Sequence, residues 1–163
     1  MIVPARLALL FSLVAALPAA EPVLKVISSD RTLAFTAAEF TALPRTELTV
    51  TDPHSKAERR FSGVAVRELL ARADAPLGEK LRGPALALAV IARAKDGYAV
   101  VFALADFDES YSSRTLLLAD TEDGQPLAEN SAPLRLIAPG EKKAGRWARM
   151  ITSLEIVSFA AQP

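Results

Sequence analysis

Hydrophobic and polar positions in this chain fall into many short stretches rather than long helical stripes. Residues 23–28 read as a first strand, and Thr36-Ala37-Ala38-Glu39 has the spacing of a capping box, in which a hydroxyl and a carboxylate satisfy each other's backbone donors at a helix start. A short helix is predicted from there to Leu43, closed by Pro44. Residues 47–51 alternate as a half-buried strand does, and the polar stretch 52–60 reads as a turn or hairpin loop. Val66, Leu69, Leu70 and Ala73 recur at helical spacing, which predicts a helix over residues 64–72 after Phe61-Ser62-Gly63. The apolar run 86–92 suits a buried strand, and Lys95-Asp96-Gly97 is a tight hairpin signal before a partner strand over 98–104. Residues 106–111 read as a helical turn or loop, 115–119 as a strand, and Asp123-Gly124 as a second tight turn. Strands over 134–138 and 151–159 complete the pattern. Many short strands with few short helices predict one compact, mixed, mainly β domain of the α+β class.

The first twenty residues differ in kind. Arg6 precedes an apolar run from Leu7 to Leu17 and the small-residue patch Pro18-Ala19-Ala20, the three-part layout of a secretory signal peptide. The run is shorter than the about 20 apolar residues a spanning helix needs. Cleavage near Ala19 or Ala20 is expected, with an uncleaved anchor as the alternative. Removing residues 1–20 from the 163 leaves 143, a single-domain length, assigned here as residues 21–163. No later apolar stretch is long enough to span a bilayer, so no membrane association is expected after cleavage. Loss of Arg6 leaves 18 of the 19 basic residues against 19 acidic ones, which gives no general attraction toward nucleic acid. The chain has no cysteine, and this removes disulfides, thiolate nucleophiles, thiolate zinc sites and iron–sulfur clusters together. The expected location is periplasmic or secreted.

Candidate chemistry is sparse. His54, the single histidine, sits in the polar loop and reads as solvated rather than as a general base. Asp106, Asp108 and Glu109 lack the ligand spacing of a calcium loop and read as a solvated helix start, and Asp120-Thr121-Glu122-Asp123-Gly124 reads as a turn. No metal site is expected. The informative segment begins at Pro133. Arg135 interrupts an apolar strand, and after Pro139-Gly140 come Lys142, Lys143, Arg146, Trp147 and Arg149. Guanidinium forks and free backbone N–H groups suit a phosphate or carboxylate. The alternative is a charged surface on which Arg135 pairs with one of the acids.

Those residues resemble the end of the molybdopterin-binding domain of sulfite-oxidase-type oxidoreductases. In that family a Gly-x-Pro-Leu turn leads to Pro-x-Arg-Leu-x-x-Pro, then a glycine and two basic residues three apart, then a closing strand. Here Gly124-Gln125-Pro126-Leu127, Pro133-Leu134-Arg135-Leu136-Ile137-Ala138-Pro139, Arg146 with Arg149, and Leu154-Glu155-Ile156-Val157 stand in that order. Phe61-Ser62-Gly63-Val64 with Leu69-Leu70 is similar to the family's Ser-Gly-Val helix entry, and Asp96-Gly97-Tyr98 to its Asp-Gly-Tyr hairpin. The resemblance covers residues 45–158. It implies a compact α+β domain whose cleft would use Arg135, Arg146 and Arg149 for the cofactor's phosphate, with Tyr98 close by.

It also implies a metal-binding cysteine between the strand at residues 47–51 and the Ser-Gly-Val segment. This chain has Asp52-Pro53-His54-Ser55 there. A soft thiolate holds that metal, and a carboxylate or imidazole is a different ligand field. The family's histidine-containing cofactor contacts are also missing upstream. The expectation is therefore a non-catalytic relative without resident cofactor that binds a small anionic ligand, or a periplasmic partner protein, through a basic cleft. A molybdopterin-dependent oxidoreductase with Asp52, His54 or solvent at the metal is the alternative. A structural interaction module anchored by an exposed Trp147 is a third reading.

Overall fold

The computed structural model describes residues 20–160. The expected export segment, apart from Ala20, lies outside them. Ten strands and two short helices follow the chain in order: β1 Leu24–Ile27, β2 Thr32–Phe35, α1 Ala37–Thr41, β3 Thr46–Thr51, β4 Glu58–Ala65, α2 Val66–Arg72, β5 Leu88–Ala94, β6 Ala99–Ala103, β7 Leu117–Glu122, β8 Gln125–Pro126, β9 Arg135–Ile137 and β10 Ile151–Ser158. They form two five-stranded sheets. The first has the order β2-β1-β10-β5-β6, and the second runs β3-β4-β7-β8 with β9 also paired to β7. This is the mainly β, α+β architecture that the alternation pattern predicts.

Local chemistry accounts for the boundaries. The Thr36 hydroxyl accepts from the Glu39 N–H, while the Glu39 carboxylate accepts from the Thr36 N–H, so the capping box opens α1 as its spacing requires. Asp123 and Gly124 both have positive φ, 51° and 78°, the backbone a two-residue hairpin turn needs between β7 and β8. The helix expected over residues 64–72 starts two residues later. Val64 and Ala65 instead extend β4, paired to Leu118 and Leu117 of β7. Likewise the loop expected over 52–60 ends early, because Glu58, Arg59 and Arg60 pair with Thr51, Val50 and Thr49. Cross-strand hydrogen bonding overrides the local signal in both places. The edge strand β2, where Leu33 and Phe35 are half-buried between exposed Thr32 and Ala34, carries an alternation too short to stand out in the sequence.

The two sheets share one core. Leu24, Val26, Val90, Phe102 and Leu154 of the first sheet join Phe61, Leu117, Leu118 and Leu136 of the second, with Leu69 and Leu70 of α2. β9 lies in this core, and its three residues are all buried. An arginine at its first position therefore needs a partner inside the protein.

Candidate functional site

Arg135 faces Ala119 of β7 in register, and the small neighbour leaves room for the long side chain. Phe61 and Trp147 form the walls. Their ring centres lie 5.2 and 5.6 Å from the guanidinium carbon, and the two rings meet edge to face at 5.9 Å. Nη2 donates to Asp52 Oδ2 at 2.7 Å, and Nη1 reaches Glu122 Oε2 only at 3.5 Å. Nε is fully buried and has no hydrogen-bond partner. The Arg135 and Asp52 side chains are 11% and 7% exposed, so the pair is shielded from water.

Asp52 ends its own strand by an Asx turn. Its Oδ1 accepts from the His54 and Ser55 N–H groups at 2.7 and 3.0 Å, and its backbone N–H donates to the Ala57 carbonyl. Burial alone would push this carboxyl up. The Ser55 N–H, the Arg135 guanidinium and the His54 N–H outweigh it and hold Asp52 below the usual carboxylate value of 3.8. A depressed folded-state value means that the stabilisation is complete well above pH 3.8 and is lost as pH falls below it. The Asp52→Asn variant should therefore show a shallower acid limb than the wild type in chemical denaturation followed from pH 6 to about pH 2. Coincident acid limbs would remove Asp52 as a source of acid sensitivity.

The pair forms the floor of a cleft of about 510 Å³. Arg59, Arg135 and Arg149 line it together with Asp52, Asp96 and Glu122, so cations and carboxylates balance. The expected basic cleft is thus closer to neutral, because three acids distant in sequence converge on it. Arg59 is taken by Asp123 at 2.8 Å and Glu122 at 3.8 Å. Arg149 is exposed, and among the described residues no carboxylate lies within 4.0 Å of its guanidinium. His54 is exposed at the rim, in keeping with a solvated loop histidine. The half-exposed Tyr98 lines the cleft and donates its hydroxyl to the Gly145 carbonyl at 2.8 Å.

Arg146 does not join Arg135 and Arg149. Its guanidinium carbon stands 3.9 Å from the Phe102 ring centre, with Nη1 on Glu141 at 2.9 Å, and it lines a separate cleft beside Lys142 and Lys143. Trp147 is no surface anchor either. It is 3% exposed, and its ring N–H donates to the Ala138 carbonyl. The acidic cluster divides: Asp106 accepts from the Ala103 N–H at the start of a short helical turn and Glu109 is exposed, as expected, whereas Asp108 is buried and accepts from the Gly78 and Ser110 N–H groups. The residues that local reading misses are Asp52 and Glu122 as neighbours of Arg135. The one available signal was the arginine itself, since a charge inside an apolar strand demands a buried acid.

The sequence pattern described as "Oxidoreductase molybdopterin binding domain" matches residues 23–162. The chain belongs to that family. No curated protein matches it. Among solved structures it is similar to the sulfane dehydrogenase SoxCD from Paracoccus pantotrophus, with a TM-score of 0.59 and 21% identity over 85% of this chain. That likeness concerns the fold, and this chain spans 39% of the neighbour's length.

Membership raises the question of whether these residues fit a molybdenum centre. They do not. The family's thiolate is absent from the whole sequence, both oxygens of Asp52 are committed to internal donors, and no cluster of three metal-binding side chains occurs among the described residues. Of the cations expected to hold the cofactor's phosphate, Arg135 and Arg146 are already neutralised by carboxylates.

Proposed function

We propose that this chain is an exported, non-catalytic member of the molybdopterin-binding-domain family that binds a small anionic ligand in the cleft, with Arg149 as its principal contact and the Tyr98 ring beside it. One observation carries the reading. The segment where the resemblance places the metal-binding thiolate carries instead a carboxylate, Asp52, whose oxygens are both used within the protein, whereas Arg149 in the same cleft has no carboxylate within 4.0 Å among the described residues. A cation without a counterion at the mouth of a concave, aromatic-walled site favours an anion. Trp147, the aromatic expected to anchor an interface, is 3% exposed and so is not available to a protein partner. The three-part layout of residues 1–20 supports a periplasmic or extracellular location for the mature domain.

The test is made on protein exported from a host that synthesises molybdenum cofactor. Elemental analysis and pterin fluorescence are expected to detect neither molybdenum nor pterin, and the mature N-terminus is expected at Ala20 or Glu21. Calorimetric titration with inorganic phosphate should give saturable binding that Arg149→Ala weakens about tenfold or more, the loss of one charge-assisted contact. Stoichiometric molybdenum with a pterin would replace this reading with a redox one.

A further inference from the structure

Arginine offers two bidentate faces to an oxyanion, and the one formed by Nε and Nη2 is half used here. Asp52 Oδ2 sits on Nη2 at 2.7 Å, while the neighbouring Nε is buried and unpaired. Asp52 cannot close the fork, because its other oxygen is held 2.7 and 3.0 Å from the His54 and Ser55 N–H groups. A buried N–H left without a partner is costly, and an oxyanion carrying two free oxygens would satisfy both donors at once.

We propose that Asp52 is a tethered pseudo-ligand: its carboxylate occupies the Arg135 seat in the resting protein, and a free oxyanion takes that seat only when the Asp52–Arg135 ion pair opens. This rests on the reading of the cleft as an anion site and adds its regulation. Asp52 is carried on the turn between β3 and β4, where His54, Ser55 and Lys56 are exposed and Pro53 and Ala57 half-buried, and Lys56 holds a positive φ of 59° that disfavours a residue with a side chain. Arg135 by contrast is fixed on β9 between Phe61 and Trp147. The cation stays and the carboxylate can leave. An internal competitor lowers the apparent affinity for the free anion by the fraction of time it occupies the seat.

The experiment compares wild type with Asp52→Asn. The amide oxygen still accepts from His54 and Ser55, so the turn is kept, but the negative charge on Arg135 is gone. Phosphate is titrated at constant ionic strength. Asp52→Asn is expected to bind it at least about tenfold more tightly than wild type, because both the competitor and its repulsion are removed. Adding Arg135→Lys, which keeps a charge but not a fork, should abolish that gain. In the wild type, where no variant has to fold, phosphate should move the backbone amide resonances of His54 and Ser55 as the carboxylate departs. Equal affinity of wild type and Asp52→Asn, or wild-type amides of His54 and Ser55 that stay in place at phosphate saturation, would overturn the pseudo-ligand. If that phosphate binding were still lost in Arg149→Ala, the anion cleft would stand without it. Phosphate binding seen only in Asp52→Asn would keep the pseudo-ligand and remove the anion reading of the wild type. No binding by either protein removes both.

Discussion

Arg135→Met should lower folding stability by about 3–5 kcal/mol, the cost of leaving one half of a buried ion pair without its partner. The substitution roughly conserves the length and apolar character of the stem between Phe61 and Trp147, so little of the loss would come from a cavity. What remains is the Asp52 carboxylate, 7% exposed, with its guanidinium gone. Urea denaturation at pH 7 reads the effect directly. The cause is isolated by a double-mutant cycle: Arg135→Met combined with Asp52→Asn should recover to within about 1–2 kcal/mol of wild type, because a neutral amide next to a thioether needs no counterion. A double variant as unstable as the sum of the two single ones would mean that the pair is not coupled, and the account of the cleft floor would fail with it. The result matters beyond stability. A family fold that keeps its cation but satisfies it internally has no electrostatic need of a bound cofactor to stay folded.

Gly63→Ala is expected to be at least as damaging. A Cβ placed on Gly63 would stand 2.1 Å from the Leu118 carbonyl oxygen and 2.6 Å from the Ala119 Cα, and both are backbone atoms of the neighbouring strand. Side chains can turn away, but a strand in the middle of a sheet cannot move without breaking its ladder. β4 and β7 pair from Phe61 to Ala65, and their register shifts between Ser62 and Gly63, which brings the two backbones together there. A loss of about 3 kcal/mol or more is expected, at the upper end of overpacking costs, with failure to accumulate as folded protein as its extreme form. Gly124→Ala is the control. It sits at positive φ with only the Arg60 side chain near, at 3.6 Å, and should cost about 1–2 kcal/mol from backbone strain alone. Gly63→Ala no more harmful than Gly124→Ala, measured by thermal unfolding, would contradict the close approach of the two strands.

Gly63 also explains why the Ser-Gly-Val segment is legible in the sequence. A glycine required by backbone contact leaves a fixed mark in the sequence, as does Gly124 in its turn or Thr36 at its cap. In each case the cause lies within a few residues or in the backbone itself. The alternation of apolar and polar residues is of the same local kind, so most strands and the α+β class were legible. Less legible were the boundaries at Val64 and Glu58, where pairing with a distant strand extends β4 past its local signal.

The sequence by itself determined the domain class, the kinship of the fold, the absence of the metal-binding thiolate and the presence of an arginine in an apolar strand. Only the tertiary structure decided what that arginine meets. Asp52 is 83 positions from Arg135 and Glu122 is 13, and nothing in local spacing chooses between them and seventeen other acids. The same holds for Arg146, which resembles Arg149 along the chain yet is turned onto Phe102 and Glu141. Periodicity reports which face of an element is apolar, because that is repeated every few residues. The partner of a single charge is chosen by which strand ends the fold brings side by side, here those of β3, β7 and β9 in one sheet, and that is a property of the packed whole.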